Sequence, residues 1–362
     1  MSTQPYNVEI FDRSFNLVQH YNIGSIDYNY DYLNAVENTI IVAFNPDVKK
    51  GDYIYIKNSE NAYFGYISGI AVNESIQGFS EIKFRAFITI FDANILFDTT
   101  LQHSATSLEQ MIADYIGAYW INNPDQEQNV VGLRTQIISQ TSDWGFHITS
   151  DQKDLSKAII NFMSSIIKRS LTKYQVGLYV TPDFSAKTIT VEIGVKTLES
   201  FFIEADLPNV IEKSIIVNED TADINKLIIY DQADLATNVI YYKHPDGSYD
   251  TTDADRLSPV IYSMTSVAGT EDNPFEDAAQ DAADKQFDRD SYNNLIEITV
   301  QNDDALVMPD NLTIGQIVNV VSNGTSYGSI FTGVERGSTT KLIFGTIRMD
   351  LTKILKEAIK NE

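Results

Sequence analysis

A short pattern that occurs twice limits the architectures this chain can adopt. Residues 51–70 read GDYIYIKNSENAYFGYISGI, residues 315–334 read GQIVNVVSNGTSYGSIFTGV, and the two align without a gap. In each copy apolar residues alternate with others, a polar stretch follows, and a second apolar segment comes after it, which is typical of a β-hairpin. Two copies of one supersecondary unit predict a pair of similar β-domains rather than a solenoid.

Four glycines hold matched positions in the two copies, namely Gly51, Gly69, Gly315 and Gly333. Glycine is favoured where the backbone turns, bulges or approaches another segment closely, because it has no Cβ. We therefore predict one of these features at each of the four glycines. We also predict that residues 45–72 and 309–336 form the same hairpin.

The rest of the sequence indicates an α+β fold that is mostly β: two similar β-barrel or β-sandwich, tube-like domains with an inserted α+β domain and a C-terminal helix. Alternating apolar residues predict the strands, and helical spacing predicts the insertion. The predicted divisions are 1–100 for the first β-barrel domain, with 208–232 as a candidate completing segment, 101–207 for the insertion, 233–347 for the second β-barrel domain with a helix over 273–290, and 348–362 for the terminal helix.

Three local motifs carry sharper predictions. Residues 106–109 (TSLE) match a capping box in front of a helix. Asp151 or Asp154 is expected to cap a second helix, LSKAIINFMSSIIKRSL, which has Ile159 on its apolar stripe. The alternation in SEIKFRAFITIF (80–91) predicts one continuous strand.

The sequence contains no motif that points to catalysis, cofactor binding or metal binding. The histidines, which are His20, His103, His147 and His244, lack a second ligand at helical metal spacing. The absence of cysteine excludes thiolate chemistry and cysteine-bound zinc. Residues 246–255 (DGSYDTTDAD) resemble a calcium loop superficially, but they lack its spacing and its terminal Glu, which favours a solvated hairpin connection. We therefore predict no catalytic, cofactor-binding or metal-binding residue, no cofactor and no enzymatic activity.

Charge bears on the class of partner. The chain has 50 acidic and 26 basic residues, a formal net charge of −24. This balance opposes nucleic-acid binding, which needs Lys and Arg to neutralise phosphates. The simpler interpretation is that acidity only maintains solubility. No apolar stretch is long enough for a membrane helix and the N-terminus lacks a secretory pattern, so we expect no membrane span and synthesis without export.

Four segments carry a resemblance to a known family. They are KKGDYIYIKNSENAYFGYISGI, INKLIIYDQ, YYKHPDGSYDTT and LTIGQIVNVVSNGTSYGSIFTGVERGSTTKLIFGTIRMDLTK. With the two terminal β-domains and the insertion, the chain resembles the tail-tip or baseplate hub (tail-associated) proteins of siphophages that infect Gram-positive bacteria, and it is similar to the baseplate hub proteins of contractile-tailed phages. These motifs are structural, and none of them is a catalytic signature.

The resemblance implies a structural virion protein that forms a homotrimeric hub at the distal end of the tail. Such a hub docks on the tail tube and the distal tail ring, and it closes or guides the DNA exit channel during host attachment and genome ejection. The implied partners are the distal tail protein and the tape measure protein, while DNA passes without specific binding. The implied location is the virion tail tip or baseplate, after assembly in the host cytoplasm. Many relatives continue into a peptidase or lysozyme domain, which we do not expect here.

Two other functions stay open from the sequence. The abundant aromatic residues could form a platform for a host cell-wall saccharide, although Tyr and Phe at strand period more often pack within sheets. A glycoside hydrolase built from β-domains is the third hypothesis, because 50 acidic residues guarantee carboxylate pairs whose separations the sequence does not reveal.

Overall fold

The computed structural model describes residues 5–32, 35–43, 46–58, 62–72, 78–96, 105–141, 159–161, 166–217, 224–245, 248–256, 258–270, 274–287, 294–301, 312–345 and 347. Strands dominate these residues, so the mostly-β fold class is confirmed. The chain divides into two compact units, one of Met1–Ile216 with Asn294–Glu362 and one of Val217–Asn293. The predicted domain boundaries stay a prediction.

The N-terminal part of the first unit forms a six-stranded antiparallel sheet. The strands up to residue 96 are β1 (Tyr6–Phe11), β2 (Leu17–Ile23), β3 (Tyr28–Asp31), β4 (Asn38–Ala43), β5 (Tyr53–Lys57), β6 (Ala62–Val72), β7 (Phe79–Ala86) and β8 (Asn94–Leu96). Their order in the sheet is β2-β1-β5-β6-β7-β4. Alternation fixes the buried face, as in β4, where Ile40 and Val42 are buried and Ile41 is exposed. We call this sheet the first sheet.

The middle of the chain mixes helices and strands. Its strands are β9 (Leu133–Ile137), β10 (Ile159–Asn161), β11 (Gly177–Asp183), β12 (Thr188–Gly194), β13 (Thr197–Glu204) and β14 (Val210–Val217). Its helices are α1 (Leu108–Ile116), which continues as a π-helical turn over Gly117–Ile121, and α2 (Lys168–Tyr174), with a 3-10 turn over Gln126–Gln128. One sheet has the order β11-β12-β9, and β10 pairs with β8. Strands β11 and β12 form a hairpin with antiparallel register.

A second long sheet closes the first unit. Its late strands are β19 (Asn294–Gln301), β20 (Ile317–Ser322), β21 (Thr325–Arg336) and β22 (Thr339–Gly345), and the order is β13-β20-β21-β22-β19-β14. Strand β3 from the N-terminal part also pairs with β21. Along β19, Ile296, Ile298 and Val300 are buried at every second position. We call this sheet the second sheet.

The second unit is a small sheet with one helix. Strands β15 (Lys226–Asp231), β16 (Asn238–Lys243), β17 (Tyr249–Asp250) and β18 (Tyr262–Val267) have the order β17-β16-β15-β18, and helix α3 spans Phe275–Phe287. Small residues let the helix lie close to the sheet. The buried cluster consists of Leu227, Ile229, Tyr241, Phe275, Ala279, Ala283 and Phe287.

The predicted capping box at residues 106–109 is wrong. Ser107 is the N-cap, and its hydroxyl accepts from Gln110 N at 3.1 Å. Glu109 is instead fully buried, where it accepts from Ser139 Oγ at 2.7 Å and from Thr141 N at 2.8 Å. Burial raises the pKa of Glu109, but these hydrogen bonds from Thr141 and Ser139 outweigh it and lower the pKa below its usual range. The Glu109 carboxylate therefore binds Ser139 and Thr141 and does not cap α1.

Two segments differ from the secondary structure that their patterns predict. Ile159 lies in strand β10 rather than in a helix, because Ile159–Asn161 pairs with Asn94–Leu96 and β-branched residues suit that pairing. The strand predicted over 80–91 ends at Ala86, and a 3-10 helix covers Phe87–Phe91. That helix buries the consecutive residues Phe87, Ile88 and Thr89, which the alternating faces of a strand do not allow.

Several predictions lie outside the described residues. They concern His103, His147, the caps Asp151 and Asp154, and the terminal helix over 348–362.

Candidate functional site

The two hairpins begin with the same glycine turn. Gly51 has φ +92° and Gly315 has φ +91°, a backbone conformation that residues with a Cβ rarely adopt. Gly51 N donates to Ile67 O at 2.8 Å, and Gly315 N donates to Phe331 O at 2.7 Å. The matched glycines thus close matched turns. We call β5 with β6 the first hairpin and β20 with β21 the second hairpin.

Different side chains make the same hydrogen bond beside these turns. In the first hairpin Asp52 Oδ2 accepts from Lys49 N at 2.7 Å. In the second, Gln316 Oε1 accepts from Thr313 N at 3.0 Å. Because a carboxylate and an amide oxygen both accept, the geometry persists where the residue type does not. The alignment of the two copies did not predict the shared role of Asp52 and Gln316, because their residue types differ.

The hairpins also share a bulge. The pairing of β6 with β7 shifts register between Ile67 and Gly69, and the pairing of β21 with β22 shifts between Phe331 and Gly333. A bulge bends a strand and lets its two halves pair with different neighbours. The predicted turns occur at Gly51 and Gly315 and the predicted bulges at Gly69 and Gly333. The expected crowding of a Cβ is absent at Gly69, where the nearest atom is Lys83 Cδ at 3.8 Å.

The repeat extends beyond the hairpins to four strands. The first sheet contains β5-β6-β7-β4 in that order, and the second contains β20-β21-β22-β19. In both, the strand that precedes the hairpin in sequence pairs with the strand that follows it. The register of the hairpins also matches, since Ile56 pairs with Tyr63 and Val320 pairs with Tyr327. The two segments therefore form the same hairpin over the described residues, as predicted.

Strand β3 connects the two repeats. Its main chain pairs with the second hairpin, with Tyr30 opposite Val334 and Tyr32 N donating to Thr332 O at 2.9 Å. Its tyrosine side chains pack against Tyr63 of the first sheet. The ring centroid of Tyr63 lies 5.2 Å from that of Tyr28 and 5.6 Å from that of Tyr30. We call β3 and the groups it contacts the seam.

A polar bridge and buried phenols complete the seam. Asn38 Oδ1 accepts from Asn29 N at 2.8 Å, and Asn38 Nδ2 donates to Asn29 O at 3.0 Å. Burial raises the pKa of both Tyr28 and Tyr30 to about 12 and raises that of Tyr63 well above its usual value. These phenols are therefore neutral at physiological pH, and their role is packing and hydrogen bonding rather than proton transfer.

The hairpin of β11 and β12 contacts both sheets. Phe184, in its turn, stacks on Phe11 of the first sheet with the ring centroids 3.9 Å apart. Tyr179 Oη donates to Gly315 O at 3.1 Å, at the turn of the second hairpin. Tyr32 Oη accepts from Leu178 N at 2.8 Å. The hairpin of β11 and β12 thus supports the geometry of the seam.

The described residues contain no group of three His, Asp or Glu side chains placed to hold a metal ion. His20 lies within β2, opposite Glu9. His244 Nε2 lies 3.1 Å from Asp250 Oδ1 beside an open cavity of about 470 Å³, in the part of the chain with the calcium-like pattern. Backbone hydrogen bonding from Thr252, followed by the bond from His244, lowers the pKa of Asp250. The side chain of His244 is 14% exposed and that of Asp250 is 58% exposed, and no third His, Asp or Glu among the described residues joins them in a metal-binding group.

No helix among the described residues has the length and apolarity needed to cross a membrane. No protein-family model and no curated protein matches the sequence.

Solved structures do resemble the chain. One is the 43 kDa tail protein of prophage MuSo2 from Shewanella oneidensis, with a TM-score of 0.56, 13% identity, and 95% of this chain and 98% of that chain covered. Another is the tail protein from Neisseria meningitidis MC58, with a TM-score of 0.51, 12% identity, and coverage of 94% and 96%. The chain therefore shares its fold, over nearly its whole length, with one prophage tail protein and with a tail protein from Neisseria meningitidis.

Proposed function

We propose that this chain is the structural hub at the distal end of a bacteriophage tail, acts as a homotrimer and has no enzymatic activity. The observation that carries the proposal is the four-strand repeat within a fold shared with tail proteins. Three chains with two similar units each would offer six similar surfaces around one axis. A ring of that kind can dock on a sixfold tail tube without a mismatch of symmetry.

The partners follow from this position. The hub would dock on the tail tube and the distal tail ring, contact the distal tail and tape measure proteins, and close or guide the DNA exit channel during ejection. It would reside in the virion after assembly in the host cytoplasm. A siphophage with a Gram-positive host is the part of the proposal that rests on sequence resemblance alone.

Charge supports passage of DNA rather than capture. A chain with a net charge of −24 repels phosphates at short range, and this repulsion weakens as salt screens it. We expect the purified protein to leave double-stranded DNA unretarded in a gel even at low salt. Retention that falls steeply with salt would indicate phosphate contacts and would contradict passive passage.

The decisive test is the mass of the purified chain in solution, measured by light scattering after size exclusion at micromolar concentration. Three chain masses are expected, together with a threefold ring in negative-stain images. A monomer at that concentration contradicts the hub, because permanent assemblies bury large interfaces that do not dissociate in this range.

Two further measurements separate the hub from the other functions. Incubation with purified cell walls should release no reducing ends, whereas release would identify a glycoside hydrolase. Titration with cell-wall saccharide should give no saturable binding. Micromolar affinity that is lost in Tyr262→Ala, at an exposed aromatic of the second unit, would favour the saccharide-binding module.

A further inference from the structure

The two hairpins differ in what covers one edge. Beyond the bulge, residues 332–336 of the second hairpin pair with β3, and we call this stretch the covered edge. The equivalent residues of the first hairpin are 68–72, which we call the open edge. Strand β6 pairs only with β5 and β7 among the described residues, so no described strand lies along the open edge.

The exposed fractions of equivalent residues on the two edges differ in the same way. Val334 on the covered edge is 7% exposed, while Ile70, its equivalent on the open edge, is 42% exposed. A Cβ on Gly333 would lie 2.5 Å from Asp31 Oδ1 of β3, whereas the nearest atom to a Cβ on Gly69 is Lys83 Cδ at 3.8 Å. The covered edge therefore packs against β3, whereas the equivalent open edge has no described strand beside it.

The covered edge shows which main-chain groups the open edge presents. Thr332 O accepts from Tyr32 N, and Val334 lies opposite Tyr30 in the register with β3. By the shared bulge and register, Ser68 and Ile70 direct their main-chain groups to the same side. A strand edge beside which no described strand lies, and which carries an exposed isoleucine, is a template for another strand, and proteins usually cover or blunt such edges.

We propose that a second copy of this chain supplies an extended segment that pairs with the open edge, residues 68–72. Within one chain, a strand that precedes the first four-strand repeat covers the edge of the second. The two four-strand repeats thus provide two equivalent edges, and β3 of the same chain pairs with the edge of the second repeat. A copy that fills the other continues the same contact from chain to chain.

This arrangement joins unlike surfaces of neighbouring copies, so it is heterologous and closes when the rotation completes a ring. That property distinguishes a second copy from an unrelated partner, because the proposed homotrimer requires contacts of this head-to-tail kind. The inference rests on the proposed homotrimer and names the edge that builds it.

Ile70→Lys tests the open edge, because a lysine there opposes strand addition while its ammonium stays in water. Val131→Lys is the matched control, since Val131 is 58% exposed and lies in a turn of the same unit. We expect Ile70→Lys to raise the trimer dissociation constant at least about tenfold, the equivalent of losing one or two hydrogen bonds. Val131→Lys should leave it unchanged, and circular dichroism should show both variants folded.

Amide hydrogen exchange of the unmodified chain gives an independent readout. The amides of Ile70 and Val72 should exchange more slowly in the trimer than at a concentration where the chain is monomeric. A trimer whose mass and whose exchange at residues 68–72 are the same with and without Ile70→Lys overturns the edge contact and leaves the hub intact. A chain that is monomeric throughout overturns both.

Discussion

The first and second hairpins have the same main chain and different surroundings. Both start at a glycine with φ near +90°, carry a bulge before the second matched glycine and pair in the same register. Yet Tyr63 is buried in the seam, whereas the equivalent Tyr327 is half-buried. Turn and bulge geometry is therefore kept where residue identity is not, because glycine supplies the backbone conformation and either a carboxylate or an amide oxygen supplies the acceptor. The surfaces of the two hairpins differ with their neighbours.

The largest expected effect separates the covered edge from the open edge. Val334→Lys should lower the free energy of unfolding by about 3 kcal/mol, because it places a charge where β3 excludes water. Ile70→Lys at the equivalent site should change it by about 0.5 kcal/mol or less. Urea unfolding at a concentration where the chain is monomeric measures both. Equal effects would show that β3 does not distinguish the edges.

The glycine turns should differ through their neighbours rather than through φ. Gly315→Ala should cost about 2 kcal/mol, since its Cβ would meet the ring of Tyr32 at 3.1 Å and that of Tyr179 at 3.3 Å in addition to the backbone strain. Gly51→Ala should cost about 1 kcal/mol, because the guanidinium of Arg13 beside it can move aside. Urea midpoints of the two variants, compared at one pH, test the order. A larger loss at Gly51 would contradict it.

The polar bridge belongs to the first repeat only. Ile296 occupies the position equivalent to Asn38, since they lie opposite Phe344 and Phe84 respectively. Asn38→Ala should cost about 1.5 kcal/mol, because the main-chain groups of Asn29 lose their partners. Asn38→Asp is the control, as it keeps the acceptor for Asn29 N and loses the donor. A melting temperature that is unchanged in both variants would show that the hydrogen bonds between Asn38 and Asn29 do not stabilise the seam.

The smallest effect concerns Asp52 and Gln316, the acceptors at the two turns. Burial raises the pKa of Asp52, so the folded state holds its proton more tightly than the unfolded chain. Its favourable contribution is present below the unfolded pKa and is lost as pH rises through the folded pKa. Asp52→Asn should therefore stabilise the chain by about 0.5 kcal/mol at pH 7 and not at pH 3. Urea titrations at the two pH values, with Gln316→Asn as the uncharged control, measure this difference.

Local patterns predict most of the strands and both hairpins, because period-2 alternation and turn glycines act within a few residues. The errors at Ile159 and at Phe87–Phe91 have another origin. There the competing conformations are close in propensity, and a distant partner or the shape of the core decides. Glu109 likewise matches a capping motif while its carboxylate binds Ser139 and Thr141.

The seam could not be predicted from the sequence. Tyr28–Asp31 is a short polar and aromatic stretch whose partner strand lies near the other end of the chain. No local signal specifies a pairing at that separation, and the contrast between the covered and open edges follows from it. Because the sequence contains no catalytic motif, no single residue could be predicted as the centre of a functional site.

The seam has a consequence for synthesis on the ribosome. Tyr30 emerges early and Val334 near the end, so at about 5–20 residues per second roughly 15–60 s separate the two halves of one strand pair. Through that interval the nascent chain carries β3 without its partner strand. Synthesis of the second hairpin therefore sets the earliest moment at which the N-terminal part can complete its pairing, and a ribosome stalled before that point leaves β3 without its partner.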